Sequence, residues 1–369
     1  MTHASLPPAR IDQMTPAFLT GRLRAAGPLS RATVTAVEAQ RLGSRTRYNA
    51  QLFRLHLHYD RSELRAPRTL VAKLPTLNTA LHERAGVFQP GAKENWFYQH
   101  VARQTTLPVP RCYYNALDPE SGGSVLLLQD LAPAQPGDQA KGASAKDAAL
   151  ALQRLAPFHA AWWSEQAQRE LPDFIRRPEK AGAATVLVDR LYAAAWPQFL
   201  ELNIVVMPEE VRRFGASLAG RLAQVNALLA EAPQTLIHGD FRLENLLWDG
   251  APAKVRCWVV DWEDIALASA MVDVAWFLGG GLRLAEGGRE SELVRHYHQA
   301  LVAGGVAGYT EAQCFAHYRL AMCGCFVQGV LMATATATIS HRQPDVSGAV
   351  AERFVAACAR LRLGELFPI

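Results

Sequence analysis

Through the first third of the chain the apolar positions recur at strand spacing. Residues 50–59 alternate most plainly, with Leu55 and Leu57 set against Arg54, His56 and His58 after a leading Leu52, and residues 33–40 and 69–74 carry shorter runs of the same kind. A polar turn with a single glycine, Gly43 within residues 41–47, joins the first two runs, so the three predict an antiparallel meander. Ahead of them, residues 15–26 are apolar at helical spacing, and Thr15 followed by Pro16 predicts a capped helix start. A second helical pattern at 92–104 places Trp96, Phe97 and Val101 on one side. Strands are predicted again at 111–114 and 125–128, with a turn at 118–123 between them.

Residues 133–142 are rich in Pro, Gly and Ala, and the pattern changes beyond them. That shift puts a boundary near residue 130, giving an N-terminal lobe of residues 1–130 and a C-terminal lobe of residues 131–369. The second lobe is predicted mainly helical, with helices at 145–166, 185–200, 208–230, 271–282, 290–302, 310–339 and 346–361. Its strand-like runs are confined to the surroundings of residues 236–248. There Leu246, Leu247 and Trp248, the turn Asp249-Gly250 and residues 255–260 predict a hairpin, which would make Asn245 and Asp261 neighbours in space. The fold class is therefore α+β. Residues 320–339 hold no charged side chain and are long enough to span a bilayer. Gly324, Gln328, Gly329 and several threonines leave them only mildly apolar, so a buried core helix is expected and no membrane span.

Composition narrows the classes. A formal net charge of +4, with basic residues scattered rather than run together, gives a nucleic-acid partner no support. Six cysteines without a C-x-x-C pair predict reduced, buried thiols, and residues 1–10 lack a charged-then-apolar leader. A cytoplasmic protein is the expectation. Oligomeric state is not readable from the sequence.

The chemistry concentrates in His238-Gly239-Asp240 and the residues just beyond it. Asp240 and Asn245 on one loop, with Asp261 ending the second arm of the hairpin, form a hard-oxygen set of low ligand count. Mg²⁺ prefers such a set, since it keeps waters and takes further ligands from phosphates. One carboxylate is then left to orient an attacking hydroxyl, which is what phosphoryl transfer requires of a protein. The Asp240-to-Asn245 interval equals that of the kinase catalytic loop H-R-D-x-x-x-x-N. Lys73, flanked by apolar strand residues, is either a point charge for a phosphate or an edge lysine facing water. Glu94 either pairs with Lys73 or complements the dipole at a helix start. Arg242 either places charge on a transferring phosphoryl group or lies on the surface.

His238-Gly239-Asp240 through Asn245, followed by Val260-Asp261-Trp262-Glu263-Asp264, resembles the Brenner-type motif of aminoglycoside phosphotransferases and choline kinases. Leu70 to Pro75, Glu94 to Tyr98, Leu127 to Leu131 and His159 to Trp163 match, in order, the pattern of the ecdysteroid-kinase-like branch of that superfamily, and the resemblance spans about residues 33–275. It implies a two-lobed protein-kinase-like fold, with a small antiparallel N-terminal sheet and a larger helical C-terminal lobe. It also implies ATP and Mg²⁺ as cofactors. Lys73 would contact the α/β-phosphates with Glu94 holding it, and backbone groups of Gln129 and Leu131 would meet the adenine. Asp240 would be the catalytic base, Asn245 and Asp261 the Mg²⁺ ligands, His238 a support of the loop by hydrogen bonds or else an acid–base group, and Asp273 a brace from the next helix. The Gly43 loop departs from the G-x-G-x-x-G pattern of phosphate-wrapping loops, and Gln129 stands where an acid is frequent. Few residues separate Asp261 from Asp273, too few for a peptide-docking activation segment, so a small-molecule hydroxyl is favoured over a protein acceptor. The rival class is a pseudokinase-like protein that binds a nucleotide or metabolite without turnover.

Overall fold

The computed structural model describes residues 7–43, 50–76, 89–118, 121–176, 181–250, 256–340 and 345–367. The expected turn at 41–47 is therefore described only as far as Gly43. The chain divides into two compact units. The first holds Met1–Ala134 together with Trp258–Asp264, and the second holds Gln135–Cys257 and Ile265–Ile369. A single cut near residue 130 would have assigned Trp258–Asp264 to the second unit. These residues join the first because Trp262, fully buried, stacks on Phe97 at 3.8 Å between ring centroids.

In the first unit, helix α1 (Pro16–Ala25) begins where expected, the Thr15 side chain accepting the Phe18 N–H at 3.2 Å. Strands β1 (Val34–Leu42), β2 (Ala50–Tyr59), β3 (Thr69–Pro75), β4 (Cys112–Leu117) and β5 (Ser124–Gln129) form one antiparallel sheet in the order β1-β2-β3-β5-β4. The alternation within β2 and β3 is the reason for the layering. Phe53, Leu55 and Leu57 point with Leu70, Ala72 and Leu74 into a core that Leu19 and Leu23 of α1 also enter. Lys73, between Ala72 and Leu74, must then emerge on the other face. Helix α2 (Pro90–Trp96) packs near that face and passes into a π-helical turn at Phe97–Val101, a local irregularity often found at functional sites. Arg54 of β2 and Asp130, just past β5, form a bidentate pair at 2.7 and 3.2 Å.

The second unit is mostly helical: α3 (Ala145–Ala161), α4 (Ala181–Leu202), α5 (Glu209–Leu218), α6 (Leu222–Glu231), α7 (Met271–Gly281), α8 (Glu290–Ala303), α9 (Glu311–Ser340) and α10 (Asp345–Arg360). The single helix expected over 208–230 is two, because Gly220 adopts a left-handed φ of 79° that no helix accommodates. Helix α9 is long and apolar enough to cross a membrane by length and composition. Here it packs against α4, α7 and α10, with Tyr318, Met322, Phe326 and Val330 buried. Gly279 lets α7 approach α9 and α10 closely, since a Cβ there would meet Met322 Sδ and Phe354 Cε1 at 2.6 Å.

Two small sheets surround the motif. Strand β6 (Gln135–Pro136) pairs with β8 (Leu246–Asp249), which neighbours β9 (Arg256–Val259), so the two arms of the expected hairpin lie side by side, while their connection over 251–255 lies outside the described residues. Strand β7 (Gln234–Ile237) pairs antiparallel with β10 (Ala266–Ser269). Strand β10 has no strand signal in its sequence, Ala-Leu-Ala-Ser, and exists because β7 offers it an edge. All six cysteines are free thiols, and all but Cys112 are buried.

Candidate active site

Within the first unit Lys73 is the centre of an acidic cluster. It sits mid-sheet on β3, between Leu52 of β2 and Leu126 of β5. Its ammonium lies 2.6 Å from Glu94 Oε2, 2.6 Å from Asp261 Oδ1 and 3.5 Å from Glu263 Oε2. Lys73 is therefore no edge lysine facing water, and Glu94 pairs with it. Burial opposes the ammonium, but Asp261, Glu94 and Glu263 together outweigh it and hold the Lys73 pKa well above its ordinary value. Burial is also the main influence on Glu94. Lys73 pulls the other way, yet with Asp261 and Glu263 adding repulsion the carboxyl is pushed up to about 7. Asp261 adopts a φ of 70°, a left-handed conformation costly for a residue with a side chain. Strain of that kind persists where the surroundings over-determine it, as the Trp262–Phe97 stack does here.

One prediction arises directly. Lys73→Ala leaves Glu94, Asp261 and Glu263 together, with ligand oxygens within 4.8 Å of one another and no counter-charge from Lys73. Glu94, already pushed up to about 7 with Lys73 present, loses the charge that pulls its pKa down, so its folded-state value stays above the unfolded one, and stability is retained at low pH and lost as pH rises through the folded value. The variant should lose on the order of 3 kcal/mol near pH 8 and markedly less near pH 5. Melting temperatures across that range check it, and curves parallel to the parent's would refute it.

In the second unit, β7 delivers His238 onto a loop that Asp273 holds from the first turn of α7. The His238 backbone N–H donates to Asp273 Oδ2 at 2.7 Å and the Gly239 N–H to Oδ1 at 2.8 Å. Gly239 takes a φ of 88°, open to glycine at no steric cost. Asp273 also meets His159 Nε2 at 3.2 Å, and His159 Nδ1 lies 2.7 Å from the Tyr297 hydroxyl. Asp273, His159, Tyr297 and His238 are all inaccessible to solvent. His238 Nδ1 accepts the Asp240 N–H at 3.2 Å, which requires the proton on Nε2. Its ring thus bonds within the loop.

Asp240 collects three side-chain donors. Arg242 Nε and Asn245 Nδ2 each reach Oδ2 at 2.9 Å, and Trp276 Nε1 reaches Oδ1 at 2.8 Å. Asn245 also donates to the Asp240 carbonyl at 2.9 Å, so these bonds use its amide nitrogen and leave its oxygen as a ligand atom. Arg242 is shared with Glu244 at 2.7 Å. It is neither a plain surface residue nor an unopposed positive charge. Gln139 tightens the same loop, its Oε1 accepting the Leu243 N–H at 3.0 Å while its Nε2 donates to the Gly280 carbonyl.

The structure thus brings Lys73, Glu94 and Asp261 together in one unit, and Asp240, Arg242, Asn245 and His238 together in the other. Gly43 follows β1, exposed, at a φ of 75°. Gln129 ends β5, its N–H and side-chain oxygen both bonded to the Arg111 backbone, and Leu131, two residues on, opens a turn by accepting the Ala134 N–H at 2.9 Å. Sequence reasoning missed Glu263, Trp276 and Gln139. Trp276 had a signal, because it lies one helical turn beyond Asp273 and so shares its face. Gln139 had none, since its partner is distant in the chain.

The model of the phosphotransferase enzyme family matches residues 56–321. The chain belongs to that family. No curated protein sequence matches it. Among solved structures, choline kinase from Cryptosporidium parvum Iowa II superposes with a TM-score of 0.56 at 9% identity, covering 95% of this chain and 96% of that one. An aminoglycoside phosphotransferase from Ralstonia eutropha JMP134, so described provisionally, gives 0.54 at 15% identity, with 95% and 98% covered. The GDP complex of aminoglycoside 2'-phosphotransferase-IIIa gives 0.51 at 14%, with 94% and 99% covered. At these identities the likeness is one of fold. It matches the α+β architecture of an antiparallel N-terminal sheet and a helical C-terminal region.

Proposed function

We propose that this chain is an ATP- and Mg²⁺-dependent phosphotransferase that moves the γ-phosphate to a hydroxyl of a small molecule. The observation that carries the reading is the Asp240 carboxylate, fixed by Arg242, Asn245 and Trp276 on a loop whose backbone is clamped by Asp273. A group held so firmly can align a hydroxyl and receive its proton. In the first unit, Lys73 secures the nucleotide phosphates with Glu94 fixing it, and the backbone of Gln129 and Leu131 receives the adenine. A purine nucleotide agrees with the GDP bound to aminoglycoside 2'-phosphotransferase-IIIa, whose fold this chain shares. Gly43 lies in the loop nearest to a phosphate-wrapping role by sequence position.

The proposed Mg²⁺ ligands are Asp261 in the first unit and Asn245 in the second. The donor chemistry fits: Asp261, Glu94 and Glu263 offer carboxylate oxygens within 4.8 Å of one another, and Asn245 offers an amide oxygen. When bound, Mg²⁺ supplies neutralisation of phosphate charge. The acceptor hydroxyl oxygen forms the new bond to the γ-phosphorus as the bond to the β–γ bridging oxygen breaks, its electron pair leaving with ADP. The hydroxyl proton passes to Asp240 and on to solvent. Arg242 stands beside this carboxylate to offset developing charge, and His238 keeps the loop in shape. We further place the protein in the cytoplasm, in keeping with its free thiols, and in the ecdysteroid-kinase-like branch on its motif pattern.

Asp261→Asn tests the metal half of this reading. Mg²⁺-dependent ATP turnover should be lost while the melting temperature stays near the parent's. Unchanged Mg²⁺ dependence would overturn it, and a parent protein that binds MgATP but transfers phosphate to no acceptor would favour the non-catalytic alternative.

A further inference from the structure

The acceptor itself can be constrained from the free valence of Asp240 and what lies beside it. A carboxylate offers about four lone-pair positions. Among the described residues Oδ2 takes two donors, Arg242 and Asn245, whereas Oδ1 takes one, Trp276. The position left for a hydroxyl is therefore on Oδ1, on the Trp276 side.

Trp276 also lines a cavity of about 150 Å³ within the second unit. Its other walls include Met332 and Thr336 of α9 and Val350 and Phe354 of α10, and Arg242 also lines it. Arg242 is the only charged residue in the described lining, and it already serves Asp240 and Glu244. A cationic acceptor would have to bury its charge there beside a guanidinium, with no carboxylate among the described lining residues and the nearby Asp240 and Glu244 already paired with Arg242. The two aromatic rings do not make an open cage for an ammonium group either, since Trp276 packs on Phe354 at 5.4 Å. At about 30 Å³ per water-sized volume, the cavity admits one ring or a short branched chain.

We propose that the acceptor is an uncharged alcohol whose hydroxyl bonds Asp240 Oδ1 and whose compact apolar body occupies the cavity beside Trp276. This deepens the phosphotransferase reading and rests on it. It separates the chain's substrate class from amino alcohols and from polycationic sugars.

The experiment supplies MgATP with 2-phenylethanol, cyclohexylmethanol and 3-methylbutanol against choline, ethanolamine and kanamycin, detecting phosphorylated product by mass spectrometry. In parallel, thermal shift by 2-phenylethanol alone is measured, for the parent and for Thr336→Trp. Thr336 is exposed at the cavity wall, so the variant narrows the cavity without disturbing the core. Transfer to the neutral alcohols is expected, with KM for alcohol raised at least tenfold in Thr336→Trp and KM for ATP unchanged. Preferential phosphorylation of choline, ethanolamine or kanamycin would overturn the substrate class while leaving the phosphotransferase reading intact. Alcohol binding that Thr336→Trp abolishes, with no transfer to any acceptor, would overturn the phosphotransferase reading but keep the cavity's ligand. Neither binding nor transfer of neutral alcohols, or a Thr336→Trp variant identical to the parent, would overturn the proposal.

Discussion

Asp240→Asn is expected to lower phosphoryl transfer by about 10³-fold, with MgATP binding and the fold retained. Two things are lost together. The amide cannot take the proton of the acceptor hydroxyl, and one of the three donors now at the carboxylate must face an NH₂ group. The second loss costs only about 1 kcal/mol of stability, because Asp240 is partly exposed and water can replace a bond. Activity and stability should therefore separate cleanly. Single-turnover rates with a confirmed acceptor, alongside the urea midpoint, check this. A variant that turns over at the parent rate would remove Asp240 from the chemistry. A loss of activity matched by a collapse of the urea midpoint would mean that its role is structural.

Asp273→Ala should show the opposite balance, a stability loss on the order of 3–5 kcal/mol with activity falling as a consequence. Asp273 is wholly buried and satisfies the N–H groups of His238 and Gly239 as well as His159. Alanine leaves the buried His238 N–H and the partly buried Gly239 N–H without their acceptor, and a buried orphan costs about 1–3 kcal/mol. It also frees the backbone that carries Asp240, so the carboxylate loses its alignment even in molecules that remain folded. Asp273→Asn should fall between, since one oxygen remains to accept while the amide faces a donor. Urea unfolding followed by intrinsic fluorescence tests the order parent, Asn, Ala. Equal midpoints for all three would show that the clamp contributes nothing to stability.

The two sites were legible in the sequence to different depths. Asp240 and Asn245 stand on one short loop, so their spacing alone predicts that they meet, and the Asn245–Asp240 bonds bear this out. Lys73 and Glu94 were ambiguous, because a lysine on a strand can face either way until a helix covers one face of the sheet. The alternation of Leu70, Ala72 and Leu74 decided which face Lys73 takes. Only the packed helix α2 decided what it meets there.

What the sequence determined by itself is the candidate residues and the order of elements: the β2 alternation, the Thr15 cap, the helical C-terminal half and the motif from His238 to Asp264. These depend on period, capping and local spacing, which act between residues near in the chain. Tertiary structure alone decided the rest. It split the helix at Gly220, made a strand of residues 266–269, and gathered Glu263 onto Lys73, Trp276 onto Asp240 and Gln139 onto Leu243. Nearly all of these are bonds or pairings between groups far apart in sequence. Their geometry is set by burial and by the need to satisfy polar groups, and neither leaves a local pattern to read.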